Sequence, residues 1–298
     1  AARLGLDQPI PIQYFSWLSQ VAQGYLGESF AYKAPVAQVI RPFIFNSMSL
    51  VVVSILLTWI VAVPFGVYSA VRQYSLGDKL GSFFTFFGLA IPRFFFILVL
   101  IALVFRLQLP LKSAYENNPA LRPLLDTITF APERGLLFPT GGMRTIGEYD
   151  TYSLLGKLAD RFWHLILPAV VIATSTMAGL VRVMRGQMLE FLRSDFIRTA
   201  RAKGLAERTV IYKHALRNAI TPFIAGIGGL LPELIGGAGL VEFVYRWPGI
   251  TPRLLDAITT TDVYMVMGFL TLSTFLLMIG NLISDLLLAV VDPRIRYS

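Results

Sequence analysis

Few side chains in this chain have a type and spacing that could make or break a bond. With no cysteine there is no disulfide, thiolate metal site, iron–sulfur cluster or cysteine nucleophile. The two histidines, His164 and His214, fall in different segments and read as having no carboxylate at a paired spacing, so no metal site is expected. A phosphate-cradling Gly-x-x-x-x-Gly-Lys-Ser/Thr loop is absent, as are a Gly-x-Ser-Gly nucleophile setting and paired intramembrane aspartates. What remains is a handful of polar groups inside apolar runs. Arg93 follows Pro92, Glu233 follows Pro232, and Asn281 and Asp285 stand four apart. Charge in such a run is costly, so each either lines a solute path, forms a structural pair, or lies near a helix end. Arg93 and Glu233 are candidates to pair with each other or to meet a charged solute. Asn281 and Asp285 share one helix face, expected to point into the helix bundle.

The elements that must carry these groups follow from composition. Of 298 residues, 55% are hydrophobic and only 15% charged, where a water-soluble domain carries about a quarter. This excludes a soluble α/β enzyme and predicts an all-α polytopic membrane protein. A membrane helix needs about 20 apolar residues to cross roughly 30 Å of hydrocarbon. Five runs qualify: Phe45 to Val71, Leu80 to Phe105, Phe162 to Val181, Ile220 to Val241 and Tyr264 to Val291. The first four contain Pro64, Pro92, Pro168, and Pro222 with Pro232, and are expected to kink. Asn46 and Ser47 read as caps of the first run, and the phenylalanine-rich stretch Phe83 to Phe96 reads as packing or lipid contact.

Charge placement orients the spans, because lysine and arginine in short loops stay in the cytoplasm. Arg182 to Arg217 holds nine of the 26 basic residues against three acidic ones. The connection from Gln108 to Arg161 balances six with six, and Glu242 to Asp262 carries two against three. The former segment is therefore cytoplasmic and the latter two external. The expected organisation is an external segment over 1–45, two spans within 46–107, an external cap over 108–161, and three spans within 162–298. The external start calls for a further helix ahead of Ala1, six in all.

Within the cytoplasmic segment, Ser194 and Asp195 offer a helix N-cap, Gly204 a C′ position, and Ala206 to Leu216 a second short helix. Phe196, Ile197 and Ala200 are expected on one face, and Arg198 and Arg201 on another. The product is a helix-turn-helix knuckle, apolar on one side and basic on the other. Three readings fit it: a basic loop lying on anionic lipid, a DNA-reading element, or a docking element for a cytoplasmic protein. A segment of about 30 residues pinned between two spans has little freedom to enter a DNA groove, so no nucleic-acid partner is expected. Arg182, Arg185 and Arg193 read as topology determinants.

Residue order goes further. The run Phe196-Ile197-Arg198-Thr199-Ala200-Arg201-Ala202-Lys203-Gly204-Leu205, followed by Lys213-His214-Ala215-Leu216-Arg217-Asn218-Ala219, resembles the coupling loop of ATP-binding-cassette importer permeases, especially the dipeptide, oligopeptide and nickel branch. Where the general pattern has Glu-Ala-Ala, a glycine and a Leu-Pro pair, this chain has Arg198-Thr199-Ala200, Gly204 and Leu216-Arg217. Leu4-Gly5-Leu6-Asp7-Gln8-Pro9, Val241-Glu242 with Trp247-Pro248-Gly249, and Asp292-Pro293-Arg294-Ile295-Arg296 extend the likeness along nearly the whole chain, and Asp285 matches an aspartate position of the branch. The resemblance implies a type I importer permease, a multi-pass subunit of the bacterial cytoplasmic (inner) membrane working by alternating access. It implies a coupling loop at 188–217 that docks on cytoplasmic ATPases. The implied partners are a second, homologous permease subunit in a heterodimer, two ATPase subunits that carry ATP and Mg, an extracytoplasmic binding protein, and membrane lipid. No cofactor and no catalytic residue are implied in this chain. A passive channel and an intramembrane enzyme are the alternatives.

Overall fold

A computed structural model describes residues 8–121, 138–147, 149–230 and 238–291. Every regular element among them is helical; an isolated bridge between Glu28 and Pro35 is the sole strand-like pairing described. The elements are α1 Ile10–Ala22, α2 Val36–Val71, α3 Leu76–Ala90, α4 Arg93–Asn117, α5 Leu154–Leu192, α6 Asp195–Ala202, α7 Thr221–Leu230, α8 Gly239–Val244, α9 Ile250–Thr259 and α10 Val263–Val291. Four described helices, α2, α4, α5 and α10, are long and apolar enough to cross a membrane.

The centre of the bundle is the pairing of α2 with α5. On α2 a stripe of small residues recurs every four positions, Ser54, Thr58, Ala62, Gly66 and Ala70, and all five are buried. Stripes of this kind let helix backbones approach within a membrane, where dispersion rather than the hydrophobic effect holds helices together. Gly66 shows how close that approach is, because a Cβ there would stand 2.6 Å from the Met184 Cβ. Higher up, the Thr58 hydroxyl lies 3.4 Å from both the Ala173 carbonyl and the Thr176 hydroxyl. The two helices run parallel, Thr58 meeting Ala173 and Gly66 meeting Met184. At 36 and 39 residues, each far exceeds the roughly 20 needed to span. A second pairing brings α7 against α10, where the Ser284 hydroxyl donates to the Ile224 carbonyl at 2.8 Å.

Two sequence expectations need correction here. The run Leu80 to Phe105 is not one kinked span but two helices, α3 and α4, separated at Ile91-Pro92. Proline disfavours the helical region for its predecessor, and Ile91 is extended at φ −80° and ψ 124°. Asn46 and Ser47 are not caps either. Helix α2 begins at Val36, so both lie inside it and bond to the α8–α9 segment instead. The run Ile220 to Val241 appears as α7 and the start of α8, while residues 231–237, with Pro232 and Glu233, lie outside the described residues, as do the motifs over residues 4–7 and 292–296.

The end of the bundle that carries α8 and α9 is tied together by buried polar groups. The Asp262 carboxylate, inaccessible to solvent, accepts from the Ser29 hydroxyl at 2.6 Å and the Ala31 amide at 3.0 Å. Glu242 is equally buried and accepts from the Ser47 hydroxyl at 2.5 Å and the Thr251 amide at 2.9 Å. Trp247 donates its indole N–H to the Asn46 carbonyl, and Asn46 donates to the Pro248 carbonyl. These bonds give Glu242, Trp247 and Pro248 a structural role, fastening the α8–α9 segment to α2.

Candidate functional site: a cytoplasmic knuckle and an intramembrane cavity

At its C-terminal end α5, 39 residues long, reaches Leu192, and at Ser194 the chain turns into α6. Ser194 occupies the N-cap position but does not cap by side chain; its hydroxyl donates back to the Phe191 carbonyl at 2.5 Å. Helix α6 ends in a Schellman motif. The Gly204 amide bonds the Arg201 carbonyl at 2.9 Å and the Leu205 amide reaches the Ala200 carbonyl at 3.4 Å. That pattern requires a left-handed residue at C′, and Gly204 supplies it at φ +75°. Across the turn Arg201 makes a two-point ion pair with Glu207, 2.6 Å at the shorter contact. The pairing raises the Arg201 pKa and lowers that of Glu207. Both side chains are substantially exposed, so the pair contributes order to the turn more than stability.

The returning segment is not the regular helix expected over Ala206 to Leu216. A short turn, Glu207–Thr209, passes into a π-helix, Val210–Ala215, and then Leu216–Ala219. The wider π turn brings Val210, Ile211 and Ala215 to one buried side. With Ile197 and Ala200 from α6 they pack on Met184 and Met188 of α5, Val67 and Ala70 of α2, and Phe223. The knuckle is thus seated on the central helix pair by a dedicated apolar cluster.

Of the predicted coupling residues, Arg198, Thr199, Arg201, Ala202, Lys203, Gly204 and Leu205 are exposed at the tip of the knuckle, while Ala200 points inward. Phe196 departs from the expected face. It is 43% exposed on the rim and leans on Phe191 with ring centroids 6.3 Å apart.

One ion pair escaped the reading from sequence. Arg185 on α5 donates to both carboxylate oxygens of Asp78, at 3.0 and 3.1 Å. The Ser69 hydroxyl and Tyr74 amide also donate to Asp78, which is 3% exposed. Burial acts to raise the Asp78 pKa, but the Arg185 and Ser69 hydrogen bonds and the Tyr74 amide outweigh it and bring it to about 2. Arg185 therefore locks α3 to α5 and the end of α2, a role beyond topology. The available signal was a lone Asp78 in a turn otherwise basic at Arg72 and Lys79. His164 likewise has a carboxylate after all. Its Nδ1 hydrogen-bonds the Asp160 main-chain carbonyl at 2.8 Å and lies 3.5 Å from Asp160 Oδ1, while the Asp160 carboxylate accepts from the Thr145 amide and hydroxyl. Both are buried, and the arrangement staples the 138–147 segment to α5.

Within the membrane, the break before α4 exposes Arg93 to a cavity of about 470 Å³ between α2, α3, α4 and α5. Its lining is largely apolar, with Arg93, Thr85, Thr174 and Ser175 as the polar groups. Arg93 Nη2 donates to the Ser175 hydroxyl at 2.8 Å. The run Thr174-Ser175-Thr176 in an apolar span was the sequence signal for that partner. Glu233 lies outside the described residues. Asn281 and Asp285 do not face the chain's own bundle. Both are exposed, and the buried polar residue of that turn is Ser284.

A helix break at Ile91-Pro92 beside a cavity lined by Arg93, and an exposed knuckle seated on the central pair of membrane-length helices, fit a membrane transport subunit. Residues 62–297 match the model of the binding-protein-dependent transport system inner membrane component family, and the chain belongs to that family. It is 40% identical over 297 residues to the oligopeptide transport system permease protein AppB of Bacillus subtilis, covering 99% of this chain and 83% of the relative. It is 35% identical over 296 residues to the dipeptide transport system permease protein DppB of Escherichia coli, covering 99% and 84%. For the DppB of Alkalihalophilus pseudofirmus the identity is 33% over 300 residues, covering 99% and 84%. The chain is accordingly a permease component and not an enzyme; ATP hydrolysis belongs to separate subunits.

Proposed function

We propose that this chain imports peptides handed over by an extracytoplasmic binding protein, as one half of a heterodimer in the bacterial cytoplasmic membrane, driven by two ATPase subunits that hold ATP and Mg. The names of its relatives favour peptides as the cargo class. The observation that carries the reading is the mounting of the knuckle. Its tip, Arg198 to Leu205, is exposed, while Ile197, Ala200, Val210 and Ala215 bury its base against α5 and α2. A displacement imposed on the tip passes to Met184 and Met188, and through the Asp78–Arg185 lock to α3, which ends at the break beside the cavity. Packed interfaces transmit such shifts as discrete rearrangements of helices. A passive channel would have no use for this lever.

On this reading Arg93 meets a peptide carboxylate in passage. Its guanidinium is a fixed charge in a greasy cavity, where a hydrogen-bonded ion contact discriminates strongly. Asn281 and Asp285, exposed in a membrane helix on this chain, face the second permease subunit, because lipid would leave them unsatisfied. Uptake of free and C-terminally amidated peptides by the reconstituted transporter tests the cargo and the contact together. Arg93→Gln should lower uptake of free peptides about tenfold more than that of amidated ones. Equal effects on both would remove the carboxylate contact, and peptide-independent uptake would remove the cargo class.

A further inference from the structure

The external end of α5 carries a cation cluster that the transport reading does not use. Arg144, Lys157 and Arg161 all converge on the ring of Tyr149, at 5.3, 5.6 and 5.5 Å from its centroid. The ring is buried, 8% exposed, so it forms a floor on which the three heads gather. Among the described residues none of the three is ion-paired. Asp160, though adjacent in sequence to Arg161, is committed to Thr145 and His164. Asp150 beside Tyr149 is exposed and makes no ion pair with them. Three like charges held over one ring repel each other, and the ring quadrupole offsets that only in part. An anion among them would complete the site.

Depth in the membrane identifies the anion. The apolar run of α5 begins at Phe162, so Arg161 and Lys157 stand at its edge and about one turn outside it, where lipid headgroups lie. Beside them Leu155 and Leu158 are 78% and 57% exposed, and Phe162 is 55% exposed. An apolar strip next to a cation cluster matches an acyl chain next to a phosphate. Basic residues are otherwise scarce at external boundaries, so a cluster there calls for a ligand. We infer that Arg144, Lys157, Arg161 and Tyr149 form a binding site for the phosphate of an anionic phospholipid in the outer leaflet.

The test uses the purified transporter with its partner subunits in a neutral detergent. Phosphatidylglycerol, phosphatidylcholine and inorganic phosphate are added in turn, and retained lipid is counted by native mass spectrometry alongside the thermal midpoint. Phosphatidylglycerol should be retained and raise the midpoint, phosphatidylcholine should do so less, and inorganic phosphate should do neither. The variant R144Q/K157Q/R161Q should bind phosphatidylglycerol on the order of fivefold more weakly per cation removed. Arg161→Gln alone, at an exposed position, serves if the triple variant does not accumulate, with a loss of about fivefold. Unchanged phosphatidylglycerol affinity in the variants overturns the site. An equal response to inorganic phosphate makes it a soluble-anion site and overturns the lipid assignment. Loss of binding-protein docking with lipid affinity intact makes it a protein contact and overturns it equally.

Discussion

Replacing Gly204 with valine isolates the contribution of the knuckle turn. The residue sits at φ +75°, and an added Cβ would meet no atom within 4 Å. The Cβ itself is therefore uncrowded, and the main cost is backbone strain. For an L-residue the left-handed region costs about 1–2 kcal/mol, with a β-branched side chain at the upper end. Helix α6 has only eight residues, and its last turn depends on the Gly204 and Leu205 amides to cap the Arg201 and Ala200 carbonyls. A penalty of that size is comparable to the whole free energy of ordering such a turn, so Arg198 to Leu205 should lose their fixed arrangement while Ile197 stays anchored. The assay is peptide uptake per ATP hydrolysed in vesicles holding the complete transporter, with membrane insertion followed separately. Gly204→Val should lower that ratio about tenfold with insertion unchanged. Gly204→Asn, which tolerates the left-handed region, should stay near wild type, and Gly204→Ala should fall between. If valine and asparagine couple equally well, the turn is not what transmits force.

Two further substitutions probe the mounting. Ile197 is fully buried between the knuckle and Met184 and Met188, so Ile197→Ala should destabilise the cytoplasmic end by about 2–4 kcal/mol and lower the transporter's thermal midpoint, whereas the exposed Arg198→Ala should leave it unchanged. Asp78 is held at about pKa 2, below its ordinary value of 3.8, so its contribution is fully present above about pH 4 and is lost as pH falls through about 2. The shift corresponds to about 2 kcal/mol. Unfolding of Asp78→Asn followed across this range should lack that part of the acid dependence, and an unaltered profile would show that the lock to Arg185 carries no weight.

How much of this was readable beforehand depended on whether a feature is local. The membrane-length helices and the knuckle's glycine follow from runs of apolar residues and a single residue type at a helix end. Each of these is a property of neighbouring residues. The break at Pro92 was visible as a proline but not as an interruption, because Pro64 and Pro168 sit in unbroken helices and the difference lies in tertiary surroundings. The partners of Arg185, Ser47 and Arg93 lie 107, 195 and 82 positions away, and no spacing rule reaches that far. The spacing of Asn281 and Asp285 puts them on one helix face, but which way that face turns depends on α7, which packs against the other side. The π-helix at Val210–Ala215 arises because the knuckle must present its apolar side to α5, a demand set by the bundle rather than by the segment itself.

The central claim is that this chain moves solute only when force is delivered to its cytoplasmic knuckle. Solute uptake into vesicles containing the assembled transporter, measured with and without the ATPase subunits and with and without ATP, tests it most directly. Accumulation that requires both, and that collapses in Gly204→Val while the ATPase subunits remain active, is the predicted result. Uptake that persists without the ATPase subunits or ATP would mark the chain as a passive channel and contradict the account.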